Sequence, residues 1–392
     1  MMNKIILLSM ILVLSLSARA QNTVQEVLST IEKNNPALKA NEQFFEAQKL
    51  AFKAQTNLAN PEFEWEKSFS SEEGKPYEIL LSQSFDFPTS YLYKNQLKKE
   101  QIANTENYKA KSRQEILLEA KLLCIRLIYY NKQQVELNAR LNNAEKLNEL
   151  FQKRLEEGDA TILEANKIKM LRLNTANQLK MIESKTSNLT DDLITLNGGK
   201  EIDLRLLEYP LMSIDKQMQE LLLESLQADP QMKLLSANEK IAAKETSLVK
   251  SNSLPKLSIG YRYLNSDIMK QANGMKLGLS IPLWENKNKV KRAKLLEQFS
   301  KEEFLIGKME LENKFLKLFR NFLNLEKSLK EYESIFTEKR YDTLLQKALN
   351  HSEISVIEYL TENIYYYESV DTYLEVEHEY YKTITELLKY KL

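Results

Sequence analysis

"KLSIGYRYL", residues 256–264, alternates in a way that few other stretches of this 392-residue chain do. If the stretch is extended, one side is apolar or aromatic and the other side is small or charged. The apolar or aromatic side consists of Leu257, Ile259, Tyr261 and Tyr263. A second alternating stretch, MKLGLSIPL at 275–283, follows closely. Together they predict a β-hairpin at about residues 255–283.

The same arrangement occurs once more near the N-terminus. EFEWEKSF at 62–69 and YEILLSQSFDF at 77–87 alternate in the same way, and they predict a second hairpin at about residues 61–87. The helical pattern that precedes this hairpin predicts one helix over about residues 23–58. The chain therefore contains four predicted strands between helices.

Internal repetition explains why the hairpins occur in a pair. NNPALKA resembles ADPQMKL, NLANPEFEW resembles NSLPKLSIG, and GDATILEA resembles SEISVIEY. Each pair is separated by 194 residues, as Pro36 is from Pro230. One offset shared by three motifs predicts two tandem repeats, 21–198 and 214–392, joined by a linker at 199–213.

Long uninterrupted helices are the second feature of each predicted repeat. From Thr89 to Glu157 the chain has neither Gly nor Pro, so this segment predicts a helix about 100 Å long. Apolar residues recur along it at helical spacing, as a stripe for lateral packing against other helices. A soluble coiled-coil rod would show the same stripe, so an exported scaffold without a pore remains an alternative.

The N-terminus has the pattern of an export signal. Lys4 precedes an apolar run, and Ala18-Arg19-Ala20 supplies small residues at the positions that signal peptidase requires. We expect residues 1–20 to be a cleaved signal peptide. Gln21 follows in place of a Cys, so the sequence indicates no lipid anchor. No later apolar run has the length of a transmembrane helix.

Composition argues against several classes of function. The chain has 55 basic and 55 acidic residues, which gives no electrostatic attraction for nucleic acid. Cys124 is the only cysteine, and His351 and His378 are the only histidines. None of them has neighbours at metal-ligand or catalytic spacing, so we predict no metal site, no cofactor and no enzymatic activity.

The strands indicate a membrane-embedded barrel. An isolated four-stranded sheet exposes its edges and an apolar face, whereas a membrane barrel removes its edges by closing. Alternation of apolar and polar residues, as in 275–281, is typical of barrel strands with a lipid side and a lumen side. One chain has too few strands to close such a barrel, but several chains can share one.

Several of these motifs together resemble the TolC-type outer-membrane efflux proteins. The resemblance covers essentially the whole chain after the leader. Its motifs are NNPALKA, LANPEF, SLPKLSIGY, LSIPLWENKN and FQKRLEEGDATILEANKI. It implies a mainly α fold with a small membrane β-barrel part, in which each protomer of a homotrimer gives four strands to a shared twelve-stranded barrel. It also implies a long coiled-coil α-helical tunnel in the periplasm.

The resemblance further implies partners and a gate. The tips of the tunnel would meet a periplasmic adaptor and an inner-membrane pump. Acidic gate residues of the family correspond by motif to Glu164 and Glu358; the alternative for each is a solvated carboxylate on a charged helix. In a trimer each would form a ring of three charges. Leu349 and Ile354 stand where a polar lock between the two repeats would place a Tyr and an Arg, so we expect no such lock.

Two further groups of residues are assigned by the resemblance. The candidates for adaptor docking at the tips are Arg154, Gly158 and Ser352; for Gly158 a plain helix cap is the alternative. The candidates for aromatic girdles at the membrane interface are Trp65, Tyr77, Tyr261, Tyr263 and Trp284. Packing against a neighbouring protomer is the alternative for these aromatic residues.

The cargo is the least determined property. SQSFDFPTSY at 82–91 resembles the branch of the family that works with heavy-metal cation pumps of the resistance-nodulation-division type. Drug efflux and type I secretion of a polypeptide through the same kind of duct remain alternatives, since the pump selects the cargo.

Overall fold

The structure, a computed structural model, describes residues 23–69, 76–265, 271–336, 341–351 and 353–392. The predicted signal peptide lies outside these residues. The chain is mainly helical with one four-stranded sheet, as predicted. The elements are α1 Val24–Asn34, α2 Pro36–Ala54, β1 Glu62–Lys67, β2 Tyr77–Phe85, α3 Pro88–Glu156, α4 Ile162–Leu196, α5 Met218–Ala228, α6 Pro230–Ser251, β3 Lys256–Asn265, β4 Ala272–Ser280, α7 Lys289–Phe336, α8 Tyr341–Asn350 and α9 Val356–Leu387.

The single helix predicted over 23–58 is wrong, because the chain forms two helices there. Asn35 separates α1 from α2 with ψ at 123°, outside the helical region. The ring of Pro36 disfavours a helical conformation in the residue before it, and proline itself is well tolerated at the first position of a helix. The same chemistry recurs where Asp229 caps α6 and Pro230 begins it.

The chain divides into two compact units that differ from the predicted repeats. Of the described residues, those up to Leu38 and those within Arg113–Leu221 and Lys314–Leu392 form unit 1, and those within Lys39–Ser112 and Leu222–Asn313 form unit 2. Each unit therefore takes segments from both halves of the sequence. The assignment of two repeats stays a prediction about the sequence.

Unit 1 has an apolar core built by α1, the middle of α3, the end of α4 and the predicted linker. Its most deeply buried residues are Val27, Ile31, Ala120, Cys124, Ile125, Ile128 and Leu193. Burial raises the pKa of the Cys124 thiol to about 12, so this cysteine is an unreactive apolar residue, as the sequence predicted.

Tyr209 packs the predicted linker at 199–213 against the rest of unit 1. Its ring stacks on Tyr381 with centroids 4.2 Å apart, and the Lys132 Nζ lies 4.7 Å from the centroid of the Tyr209 ring. Lys132 also donates to both carboxylate oxygens of Glu377, at 2.6 and 2.8 Å. The Tyr209 hydroxyl is buried without a protein hydrogen-bond partner. Aromatic packing and a cation–π contact therefore hold this segment.

Unit 2 contains the sheet, with strands in the order β1-β2-β3-β4 and all neighbours antiparallel. Its helices follow the same order. Asn41 on α2 donates to the Ser112 hydroxyl on α3 at 2.6 Å, and Asn104 on α3 donates to Asn238 on α6 at 2.8 Å. A Cβ at Gly307 on α7 would collide with the Leu235 side chain on α6. Strands β1 and β3 follow α2 and α6, and strands β2 and β4 lead into α3 and α7. The four helices therefore lie in the same order as the four strands to which they connect.

We expect two substitutions of Tyr209 to differ strongly in their effect on stability. Tyr209→Ala removes the stacked ring and should lower the free energy of unfolding by about 3 kcal/mol or more. Tyr209→Phe keeps the ring and removes an unsatisfied buried hydroxyl, so its effect should be neutral or slightly stabilising. Denaturant unfolding of both variants in detergent measures the difference. A large loss in the Phe variant would contradict this account of the linker contact.

Candidate functional site

The two faces of the sheet in unit 2 differ in chemistry. Phe63, Leu81, Tyr261 and Met275 are directly paired across the four strands and so lie on one face. Alternate residues continue this apolar face, and many of its large side chains are exposed. Examples are Phe63 at 67%, Met275 at 75% and Leu277 at 79% of full exposure. Such a contiguous exposed apolar surface needs a partner or a membrane.

The opposite face is polar and contains many small residues. Glu78 and Arg262 form an ion pair on it, with a closest approach of 2.6 Å. Gly260 and Gly278 also lie on this face, and a Cβ at Gly260 would stand 3.0 Å from the Leu81 carbonyl oxygen. Large residues on one face and small ones on the other suit a sheet that curves with its polar face inside.

Of the predicted girdle residues, Trp65, Tyr77, Tyr261 and Tyr263 lie on the apolar face of the sheet. Trp65, Tyr77 and Tyr263 lie toward the hairpin turns, and the rings of Tyr77 and Tyr263 are 6.1 Å apart. Tyr261 lies at mid-strand instead, paired with Leu81 at the middle of β2. Trp284 follows the other end of β4 and is 81% exposed. Their role at a membrane interface stays a prediction.

In unit 1, Gly158 forms the first tip, between α3 and α4. Its φ of +79° lies in the left-handed region, and its N–H donates to the Leu155 carbonyl at 3.2 Å. The Asp159 N–H donates to the Arg154 carbonyl at 2.7 Å. These two bonds form a Schellman motif, which closes the end of α3. Two of the predicted docking residues, Arg154 and Gly158, therefore belong to one tight turn.

The second tip, between α8 and α9, has a related bond. The Glu353 N–H donates to the Ala348 carbonyl at 2.9 Å, at the positions that correspond by the repeat offset to Asp159 and Arg154. Ser352, the third predicted docking residue, lies outside the described residues. The prediction for Ser352 therefore remains as the sequence states it.

Glu164 and Glu358, the predicted gate residues, are both part of helix caps. The Thr161 N–H and hydroxyl each donate to Glu164 at 2.8 Å, and the Ser355 N–H donates to Glu358 at 2.8 Å. Both pairs are complete capping boxes at the starts of α4 and α9. The hydrogen bond from the backbone N–H is the larger cause, and the hydrogen bond from the hydroxyl is the next. Together they lower the pKa of each carboxyl below its ordinary value of 4.5. Both residues are therefore ionised at neutral pH.

An apolar cluster brings the two tips together. Its buried members are Leu147, Phe151, Ile168, Leu345, Val356 and Tyr359, which come from both halves of the chain. Leu349 and Ile354 pack against this cluster. These are the two apolar residues for which the sequence analysis expected no polar lock between the repeats. Asn143 adds one polar contact by donating to the Tyr359 hydroxyl at 2.9 Å.

Sequence reasoning missed the capping function of the two glutamates. The signal was present, because TILE at 161–164 and SVIE at 355–358 both follow the capping-box pattern of Ser or Thr followed by Glu three residues later. The tip cluster had no comparable local signal, since it joins residues about 200 positions apart.

Within the described parts of the chain, no three His, Cys, Asp or Glu side chains are grouped so that they could hold a metal ion. None of the helices in those parts has the length and apolarity needed to cross a membrane.

Known structures share this architecture. CusC, whose structures concern folding and transmembrane channel formation, matches with a TM-score of 0.75 at 15% identity, over 95% of this chain and 92% of CusC. The outer-membrane channel OprN matches with a TM-score of 0.77 at 11% identity, over 94% and 89% of the two chains. CmeC, the outer-membrane channel of Campylobacter jejuni, gives 0.73 at 13% identity, over 94% and 85%.

The chain therefore has the fold of the TolC-type outer-membrane channels, and the predicted fold class is confirmed. No protein-family model matches the sequence, and no curated protein matches it either. At these low identities the likeness establishes the fold.

We expect Gly158→Ala to weaken the first tip through the backbone alone. A Cβ at Gly158 would meet no atom within 4 Å, so the cost comes from its positive φ and should be about 1 kcal/mol of unfolding free energy. Gly274→Ala is the matched control, because a Cβ there also meets nothing and its φ is not positive. Equal stability of the two variants in denaturant titrations would contradict the strain at Gly158.

Proposed function

We propose that this chain is the outer-membrane channel of a tripartite efflux system. In this proposal it is a passive trimeric duct that leads substrate from an inner-membrane pump and a periplasmic adaptor to the exterior. The single observation that carries the proposal is the sheet, whose exposed apolar face lies opposite a polar face. The proposal assigns the chain no catalytic step and no cofactor.

Strand dimensions support a place for the sheet in a bilayer. Strands β2, β3 and β4 have 9, 10 and 9 residues. A transmembrane strand needs about 9–11 residues. With the apolar face toward lipid and the polar face toward a lumen, the apolar side chains contact hydrocarbon and the polar side chains contact water. The sheet would lie in the outer membrane and most of the chain in the periplasm.

The edges of unit 2 support assembly with further copies. Strands β1 and β4 each have only one paired neighbour in the described sheet, so both present free backbone groups. The helices beside these edges also lack partners on one side. Helix α2 has no buried residue, and its exposed heptad stripe is Ala37, Ala40, Phe44, Ala47, Ala51 and Ala54.

Helix α7 offers a complementary surface at the other edge. Its exposed apolar side chains at coiled-coil spacing include Leu295, Phe299, Ile306 and Met309. Large side chains on α7 would fit the small ones on α2 of the next copy, while β4 pairs with β1. Such a head-to-tail contact closes into a ring. The resemblance to the TolC-type proteins supports three copies, hence a twelve-stranded barrel.

The partners and cargo follow from the resemblance. The adaptor would dock at the tips around Arg154, Gly158 and Ser352, and the pump would be of the resistance-nodulation-division type. The favoured cargo is heavy-metal cations, on the basis of the motif at 82–91. Drugs or a polypeptide are the alternative cargoes.

The mass of the detergent-extracted protein tests the channel directly. Light scattering that subtracts the detergent should give three copies, the protein should occur in the outer-membrane fraction, and planar bilayers should show conductance. A soluble monomer or dimer that needs no detergent would contradict the channel and favour an exported coiled-coil scaffold. Resistance assays with metal salts and with drugs, in cells with and without the protein, then decide the cargo.

A lysine scan of β4 tests which face meets lipid. Met275→Lys places a charge on the apolar face near the middle of the sheet, where Met275 pairs with Tyr261, and should destabilise the folded barrel in lipid by about 2–4 kcal/mol. Gly274→Lys, the preceding residue and on the opposite face, is the control and should cost far less, because a Cβ there meets no atom within 4 Å. Folding into lipid vesicles, followed by the heat-modified mobility of the trimer, measures both. Equal effects of the two lysines would contradict the assignment of the faces.

Charge at the tips can be separated from helix capping. Gln also serves at the third position of a capping box, so Glu164→Gln and Glu358→Gln remove the charge and keep the cap. If the carboxylates form the gate, these variants should alter cation selectivity and divalent-cation block of single channels without a change in thermal stability. Conductance indistinguishable from wild type would leave both residues with a capping role alone.

A further inference from the structure

One cavity in unit 1 is an aromatic groove of about 1090 Å³ between the end of α7, the start of α8 and α9. Six of its lining residues are aromatic: Tyr332, Phe336, Tyr341, Tyr365, Tyr366 and Tyr373. The groove is distinct from the tip cluster and from the sheet. None of the functions proposed above uses it.

The rings form one connected set. Phe336 lies 5.4 Å from Tyr373 and 6.3 Å from Tyr366, measured between ring centroids. Tyr366 in turn lies 6.0 Å from Tyr341. Rings at these distances support one another, so the wall is an ordered aromatic surface.

The same groove carries negative charge. Glu136 and Glu362 line it, and none of the lining residues that the structure describes is basic. Tyr341 donates its hydroxyl hydrogen to Glu362 at 3.1 Å, which orients that carboxylate beside the rings. Burial, and after it the carboxylates of Glu377 and Glu333, raise the pKa of Tyr373 to about 12, so its hydroxyl is neutral at neutral pH.

Part of this wall is open to solvent. Tyr341 is 44% exposed, and Tyr365, which also lines the groove, is 64% exposed. Aromatic faces and carboxylates are the two groups that attract a cation with an apolar body. From this charge complementarity we propose that the groove binds organic cations whose charge is spread over an aromatic or alkyl body.

The site goes beyond the proposed channel, since binding in the groove requires neither conductance nor a pump. Equilibrium dialysis of the full mature protein in nonionic detergent tests it with tetraphenylphosphonium. Tetraphenylborate has the same shape with the opposite charge and is the control ligand. We expect the cation to bind about tenfold more tightly than the anion.

Three variants locate the site. Glu362→Gln keeps the volume and should weaken binding of the cation about three- to tenfold, and Tyr366→Ala should weaken it by a similar factor. Glu368→Gln, on the exposed side of the same helix and outside the groove, is the matched control and should bind as wild type does. Because Glu362→Gln preserves packing, its result stands even if the Tyr366 variant unfolds.

Two outcomes would overturn the proposal. Equal binding of the two ions, or unchanged binding to Glu362→Gln, would show that the groove has no preference for cations. Absence of binding together with protection of Tyr365 from surface modification in the oligomer would show that a second copy covers the groove. Either result would leave conductance, and hence the channel, unaffected.

Discussion

The constraint on which the rest of this structure depends is the need to satisfy the edges and the apolar face of a four-stranded sheet. A sheet that is apolar outside and polar inside has no stable place in water as a single copy. In the proposed channel, closure with further copies removes the free edges, and lipid accepts the apolar face. The small residues around Gly260 and Gly278 on the polar side allow the curvature that closure requires.

The helical layer of unit 2 is matched to the sheet. Because α2, α3, α6 and α7 follow the order of the strands, each helix leaves the sheet next to the helices of its neighbouring strands. The outer helices therefore end up beside the outer strands. A partner that pairs with the sheet edge is consequently placed to pack on the outer helix as well, so one contact can satisfy both.

The hairpins were predictable because alternation and turn residues are local signals. The structure places strands at Glu62–Lys67, Tyr77–Phe85, Lys256–Asn265 and Ala272–Ser280, inside the predicted hairpins. Pro36 indicates the break at Asn35, but the helical pattern on both sides of it favours one continuous helix. The stack of Tyr209 on Tyr381 and the tip cluster were not predictable, because they join distant segments whose periodicity only indicates that some partner exists.

The capping boxes at the two tips limit how a passage there could open. The Glu164 and Glu358 carboxylates are each anchored by backbone N–H groups at a helix start, so neither is free to swing on a flexible side chain. Each carboxylate is therefore positioned by the start of its own helix, α4 for Glu164 and α9 for Glu358. In the proposed channel, these bonds favour widening of the tips by displacement of whole helices, and a cation that draws one carboxylate away has to replace the hydrogen bonds that begin the helix.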